Sequence, residues 1–492
     1  MTHPFPDVPT FSGFDWPVRA DADIYDLEIV GEIPRELNGT FYRCGPEHQY
    51  PPMRDGVFID GDGVISMFRF EDGHVDFRTR FVRTERFLAE RKARRSLFGG
   101  YRNPYLDDPA VAGVERGTAN TTAFWHAGRL FALKEDSRPM EIDPDTLATR
   151  GRWDYGGKLH SKTATAHPEI DPRTGELFMH GFFSRGGIAP EIAYWVVDQD
   201  GGLVREFEVT PPYASMIHDI AVTGEHIVFP VMPTTPDDRR MRRGGPIFQW
   251  DDSLPSYLGV MRRDGDGSDI RWFKGPPQWM YHIMNAWTDG GHIHIDCCVS
   301  EIQSFPFFTD INGKLYEPTR ARPKLTRWSI DLNGPDEFTS TRFFDRQCEY
   351  PRVDDRFQMA PYRHGYLLFT DPDRRAEATT RRSGQAFNSI ARFDMTSGTL
   401  VESWFVGEAS APMEPQFVPR SDDAPEGSGW ILMVVNRYAE GRSDLVVLDA
   451  QNLAQGPVAI AKLSLRARAA FHGCWVSAAQ LQAARGVDQG MR

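Results

Sequence analysis

One short phrase recurs along this chain. A Gly-containing turn is followed by four to eight residues rich in aromatic, aliphatic and β-branched side chains, the pattern of a strand beside a hairpin. It is read in GDGVISMFRF, HAGRLFALKE, TGELFMHGFF, TGEHIVFPVM, GGHIHIDCCV, HGYLLFTDP and SGWILMVVNRY, with turn glycines expected at Gly63, Gly128, Gly175, Gly224, Gly291, Gly365 and Gly429. So many hairpins in one chain expose many strand edges, and radial repetition of small antiparallel sheets is the economical way to hide them. The expected fold is all-β, a seven-bladed β-propeller forming a single domain over residues 1–492. The gaps between phrases are irregular and longer than the about 40 to 50 residues of regular propeller repeats. Long insertions follow, nominated at 84–116, 232–258 and 301–324, where proline, aromatic residues and short helices would build a cap over one face.

Composition agrees with a folded, turn-rich protein: 40% hydrophobic residues, 25% charged, and 44 glycines and 36 prolines spread along 492 residues. A net charge of −13 argues against a nucleic-acid backbone or an anionic membrane as the main partner. Five cysteines, two of them adjacent at Cys297 and Cys298, are an odd and badly spaced set for a disulfide framework, and no CxxC pair points to zinc. The N-terminal stretch lacks a basic and an apolar signal region, and no segment approaches the ~20 apolar residues of a spanning helix. A cytoplasmic location without an integral membrane segment is expected.

Four of the 14 histidines share a pattern. His167, His218 and His282 each stand six to nine residues ahead of a turn glycine, near the beginning of a strand that enters a hairpin, and His472 begins the last apolar run. Equivalent strand ends in successive blades can converge, and convergent imidazoles make a site for Fe, Zn, Cu or Ni. Four unrelated histidines capping strands satisfy the same spacing. His292 and His294, two apart on one strand face, form a rival pair, although they lie after the turn rather than before it. Metal-bound imidazoles usually donate their second N–H to a carboxylate. Glu135 in LFALKED, Glu349 in RQCEYPR and Glu414 in APMEPQFVPR stand in apolar or proline-marked contexts that suit this role, or else are charges on loops.

These motifs, with ELNGTFYRCGPE and FIDGDGVISMFRF near the start, HIMNAW and EPQFVPR in the interior and AAFHGCWV near the end, resemble the carotenoid cleavage oxygenase family over nearly the whole chain, and within it the stilbene-cleaving lignostilbene dioxygenase branch. The resemblance implies a seven-bladed propeller with an Fe(II) centre held by His167, His218, His282 and His472, and supported by Glu135, Glu349 and Glu414. It also implies a threonine, here Thr121 in TANTTAF, close to the open iron position. The implied reaction is oxidative cleavage of a carbon–carbon double bond by O2 into two carbonyl products, without an organic cofactor. A homodimer is implied by family analogy alone.

The same branch carries a tyrosine and a lysine that clamp a phenolic oxygen, matched here by Tyr101 in GGYRNPYLDDP and Lys134 in FALKED. Strand alternation places Lys134 on the face opposite Glu135. An ammonium favours a nearby phenolate, which can push electron density onto the conjugated alkene. Pocket-lining candidates are Phe58 or Ile59 in the FIDGDG segment and Phe305 and Phe307 in SFPFF, the latter pair equally suited to an insertion's own core. The expected activity is cleavage of the central double bond of 4-hydroxystilbenes to aromatic aldehydes. An apocarotenoid-cleaving oxygenase with the same iron site and a metal-free propeller acting as a binding platform are the competing expectations.

Overall fold

The computed structural model describes residues 3–54, 56–315, 317–375, 387–467 and 469–490, with side chains to Gly486. The chain divides into two compact units, one of Met1–Gly156 with Val406–Arg492 and one of Gly157–Arg374 with Phe387–Phe405. Strands dominate both units.

In the first unit a nine-stranded sheet is antiparallel throughout except for one parallel bridge, His472 to Thr122. That bridge separates a five-stranded group, from Ala22–Ile24 to His472–Ser477, from a four-stranded meander over Thr122–His126, Arg129–Leu133, Met140–Ile142 and Thr149–Arg152. A six-stranded sheet around Gly429–Arg437 and Arg442–Asp449 completes the unit. The second unit holds four four-stranded antiparallel sheets, beginning at Glu169–Ile170, Ala221–Val222, Trp279–Asp289 and Cys348–Arg352. Among the described residues this gives seven antiparallel groups of four or more strands, the sheet content of a seven-bladed propeller.

Each of the seven recurring phrases supplies one strand to a different group: Asp62–Glu71, Arg129–Leu133, Leu177–Phe182, His226–Val231, His292–Ser300, His364–Phe369 and Gly429–Arg437. These strands read as apolar runs because both of their faces are covered. In Gly429–Arg437 every residue but the last is buried. The glycines divide into two kinds. Gly128, Gly175, Gly224 and Gly291 lie in turns, as expected, and Gly290–Gly291, with φ of +54° and +82°, make the tight two-residue hairpin that needs two left-handed residues. Gly63, Gly365 and Gly429 are instead strand residues. At Gly63 a Cβ would lie 2.2 Å from the Ala119 carbonyl oxygen, so this glycine permits close backbone approach rather than a turn.

The nominated insertions contain irregular structure. Segment 84–116 carries the helix Glu85–Ala93, N-capped by Thr84, whose side chain accepts the Phe87 N–H at 3.1 Å. Segment 232–258 carries the two-stranded pair Thr234–Pro236 and Phe248–Trp250 and the short helix Asp238–Arg242, though its last residues already belong to the strand Ser256–Arg262. Segment 301–324 holds no strand before Lys324, and its residue 316 lies outside the described residues. No helix among the described residues is long and apolar enough to cross a membrane.

In the second unit Asp171, 1% exposed, bonds Arg173 and Arg263, tying the turn after Glu169–Ile170 to the end of the strand Ser256–Arg262. Burial alone would raise this carboxyl, but hydrogen bonds from both arginines and the Arg173 N–H outweigh it and hold the group at about 2. A depressed carboxyl contributes stability above its unfolded value of about 3.9 and loses it as pH falls toward 2. Asp171→Asn is expected to cost on the order of 1–3 kcal/mol at pH 7 and to flatten the loss of stability between pH 4 and 2, as read by thermal unfolding at each pH.

Candidate metal centre

In the second unit three of the four patterned histidines meet. One ring nitrogen from each of His167, His218 and His282 lies within 4.8 Å of the others. His167 Nε2 is 3.0 Å from His218 Nε2, which is 3.4 Å from His282 Nε2. His167 and His218 sit in connecting segments just ahead of the inner strands Glu169–Ile170 and Ala221–Val222, whereas His282 lies within the inner strand Trp279–Asp289.

The rings are fixed from outside the cluster. Glu349, 1% exposed, accepts a hydrogen bond from His282 Nδ1 at 2.6 Å, which leaves the Nε2 lone pair facing the other two rings. Tyr281 stacks on His218 at 4.2 Å and 6°, and Tyr350 on His282 at 5.7 Å and 25°. His180 Nε2 donates to the Ile217 carbonyl at 3.0 Å, immediately before His218. Phe305 meets Tyr281 edge-on at 5.2 Å, and Phe307 packs on Phe305 at 5.4 Å, so the 301–324 segment reaches the histidine cluster through one intervening ring.

Tyr281, Tyr350 and Asp219 carry no motif in the sequence. A register irregularity between Met280 and Ile283 brings the neighbours Tyr281 and His282 within 4.4 Å of each other, where a regular strand would send them to opposite faces. Tyr350 has φ +55°, and its N–H bonds Glu349 Oε2 at 2.6 Å. Asp219, beside His218, accepts two backbone N–H groups, and burial pushes its carboxyl up to about 8 despite them, with the Glu349 charge adding to the rise.

This donor set fits a metal ion. Three imidazole nitrogens converge on one volume, one of them with its tautomer set by a carboxylate, and a cation there would place positive charge beside the buried Asp219 and Glu349. The rival pair does not converge in this way. His292 and His294 lie parallel, 6.2 Å apart, with His294 bonded to Ser329.

The first unit carries the remaining nominated residues, two of them bonded to His472 or its neighbour. Glu414 accepts from His472 Nδ1 at 2.8 Å and from the Gly473 N–H at 3.0 Å. The His472 N–H donates to the Thr121 carbonyl at 3.1 Å, and the Thr121 N–H donates to Leu133, the residue before Lys134. Asn120 joins Thr121 Oγ1 to the Phe58 turn, donating from Nδ2 to the carbonyls of Ile59 and Gly61. Phe58 packs edge-on against Phe471 at 5.6 Å.

Lys134 differs from expectation. The strand Arg129–Leu133 ends one residue before it, so alternation no longer applies, and Lys134 Nζ lies 3.7 Å from Glu135 Oε2, with both side chains buried. The ammonium also sits 5.4 Å from the centre of the Tyr101 ring. Burial first, and then the negative charge of Glu135, raise the Tyr101 phenol above its ordinary range, so it keeps its proton and remains a hydrogen-bond donor.

The pattern of the family described as retinal pigment epithelial membrane protein matches residues 16–477. Isoeugenol monooxygenase of Pseudomonas nitroreducens is 48% identical, over 95% of this chain and 98% of its own length. Lignostilbene-alpha,beta-dioxygenase isozyme III of Sphingomonas paucimobilis is 44% identical, over 98% and 99%. The crystal structure of Pseudomonas brassicacearum lignostilbene dioxygenase superposes with a TM-score of 0.94 at 41% identity, covering 97% of this chain and 100% of that one. The fold is therefore the all-β propeller of an oxygenase class. The chain belongs to the carotenoid cleavage oxygenase family and is an alkene-cleaving oxygenase that incorporates O2.

Glu349→Gln keeps the volume at this position but turns either an amide NH2 or a weaker acceptor toward His282 Nδ1. Its expected effect is a ~10–100-fold loss of affinity for an added divalent transition-metal ion, measured by metal analysis after equilibration against a graded chelator, with His218→Ala retaining no ion under the same conditions.

Proposed function

We propose that the chain is a non-haem Fe(II) oxygenase cleaving the double bond conjugated to a 4-hydroxyphenyl ring, with 4-hydroxystilbenes as its substrate class and two aromatic aldehydes as products. His167, His218, His282 and His472 are the proposed ligands, with Glu135, Glu349 and Glu414 behind them. The observation that carries this reading is the convergence of three imidazoles, those of His218 and His282 buried and that of His167 half-buried. His472 has the same build as His282, a buried ring whose Nδ1 is held by a buried glutamate. Iron bound there supplies the activation of O2.

The protein's own residues prepare the substrate. Lys134 favours the phenolate through its positive charge, and Tyr101, holding its proton, donates a hydrogen bond to the same oxygen. The phenolate then delocalises through the ring onto the alkene, raising its electron density where the bond must break. Phe58, Ile59, Phe305 and Phe307 are proposed to line the pocket and exclude water, and Thr121 to border the open position beside His472. The five free cysteines fit a reducing cytoplasm.

A second reading is favoured by the similarity to isoeugenol monooxygenase at 48% identity. Isoeugenol presents the same 4-hydroxyphenyl alkene with a methyl group in place of the distal ring, so the phenolate argument is unchanged and only the second aldehyde differs.

Fe(II)-loaded protein, given 4-hydroxystilbene, its 4-methoxy analogue, isoeugenol and an apocarotenoid in parallel, is expected to consume O2 with the hydroxystilbene and release two aromatic aldehydes identified by mass. The methoxy analogue is expected to react ~100-fold more slowly, and Lys134→Met to lower kcat/KM for the hydroxystilbene by a similar factor. Equal turnover of the methoxy analogue overturns the phenolate step. Faster turnover of isoeugenol establishes the second reading, and turnover of the apocarotenoid alone overturns both.

A further inference from the structure

Asp219 has no part in the ligand set, yet it bonds the backbone beside two of the three converging histidines. Its Oδ1 accepts the Ile220 N–H at 2.8 Å and its Oδ2 accepts the Ile283 N–H at 2.9 Å. Ile220 lies two residues after His218, and Ile283 directly follows His282. The carboxylate is 3% exposed, so these bonds form away from water.

The two segments it joins differ in how well they are held. His282 lies inside the strand Trp279–Asp289, which pairs with His292–Ser300 at Trp279, Met280, Ile283 and Asn285–Asp289, with register irregularities on either side of Ile283. That strand is the first of its sheet, and an N–H on its unpaired side needs an acceptor from elsewhere. His218 precedes a strand of two residues, Ala221–Val222, and is held by far less ladder. A carboxylate bonded to both segments transfers the rigidity of the long strand to the short one. Glu349 acts on the His282 ring, whereas Asp219 acts on the backbones that carry His218 and His282.

We propose that Asp219 is a positioning residue of the metal centre, clamping the backbone of the His218 segment to that of His282 and so setting the separation at which both imidazoles reach one ion. The inference rests on the reading of the converging imidazoles as a metal centre. Asparagine at this position presents one carbonyl oxygen and one NH2, so it can accept only one of the two N–H groups and turns a donor toward the other. The protein would still fold around a side chain of equal size, but His218 would lose its fixed distance from His282.

Cobalt(II) alone, titrated into the metal-free full-length protein, provides both an affinity and a visible absorption spectrum that reports ligand geometry. Wild type is expected to bind one ion. Asp219→Asn is expected to bind ~10–100-fold more weakly, with a shifted spectrum. Asp296→Asn removes an equally buried carboxylate that bonds Arg327 and Tyr362, and is expected to lower the thermal midpoint while leaving the cobalt spectrum unchanged. If Asp219→Asn is not recovered folded, Asp219→Glu, which keeps the carboxyl group and displaces it, is expected to shift the spectrum. Wild-type affinity and spectrum in whichever Asp219 variant folds overturn the positioning role. Failure of wild type to bind cobalt overturns the metal centre itself, and the positioning role with it.

Discussion

Imidazole nitrogens have no reason to gather in a protein interior on their own. With His167 Nε2 3.0 Å from His218 Nε2, and that atom 3.4 Å from His282 Nε2, lone pairs or N–H groups crowd one volume, and the rings of His218 and His282 are held there from behind. Glu349 holds His282 through Nδ1, Tyr281 covers the face of His218, and Tyr350 covers the face of His282. Much of the local structure serves this requirement. The left-handed backbone of Tyr350 and the buried carboxylates are costly features gathered beside this cluster, as is usual at functional sites.

The propeller's sheets make this possible in a simple way. The inner strand of a sheet, or the segment leading into it, presents side chains and N–H groups that no ladder consumes, while the strands behind it are buried on both faces and rigid. His167, His218 and His282 all occupy such inner positions. His472 occupies the corresponding place in its own unit, opening the strand His472–Ser477 and bridging to Thr122. The neighbourhood of His472, with Thr121 bonded through its backbone to His472 and Leu133 and the Phe58 turn held by the Asn120 side chain, is similarly built from strand ends and connecting segments.

Much of this was legible in the sequence for a physical reason. Sheets buried on both faces produce apolar runs, and seven runs identified one strand in each of seven antiparallel groups. The glycines were less legible, since Gly63 and Gly291 look alike in sequence although one relieves backbone crowding and the other makes a turn. The spacing of His167, His218 and His282 ahead of turn glycines allowed convergence but equally allowed unrelated strand caps, and in the structure His282 lies within its strand rather than ahead of it. The direction of Lys134 was not legible, because it depends on a strand ending one residue earlier than its composition suggests. Tyr281 and Tyr350 were hidden because a bulge and a positive φ re-aim them, and neither feature is signalled by a glycine at that position. Asp219 was hidden because its partners are backbone groups, which leave no trace in residue identity.

The central claim is that these imidazoles are the ligands of one iron ion, and X-ray absorption at the iron K-edge of the Fe(II)-loaded protein tests it most directly. The expected result is a first shell of nitrogen and oxygen only, with the outer-shell scattering of several imidazole rings, lost on replacing His218 by alanine. A shell containing sulfur, or a spectrum without imidazole scattering and indifferent to His218, would contradict it.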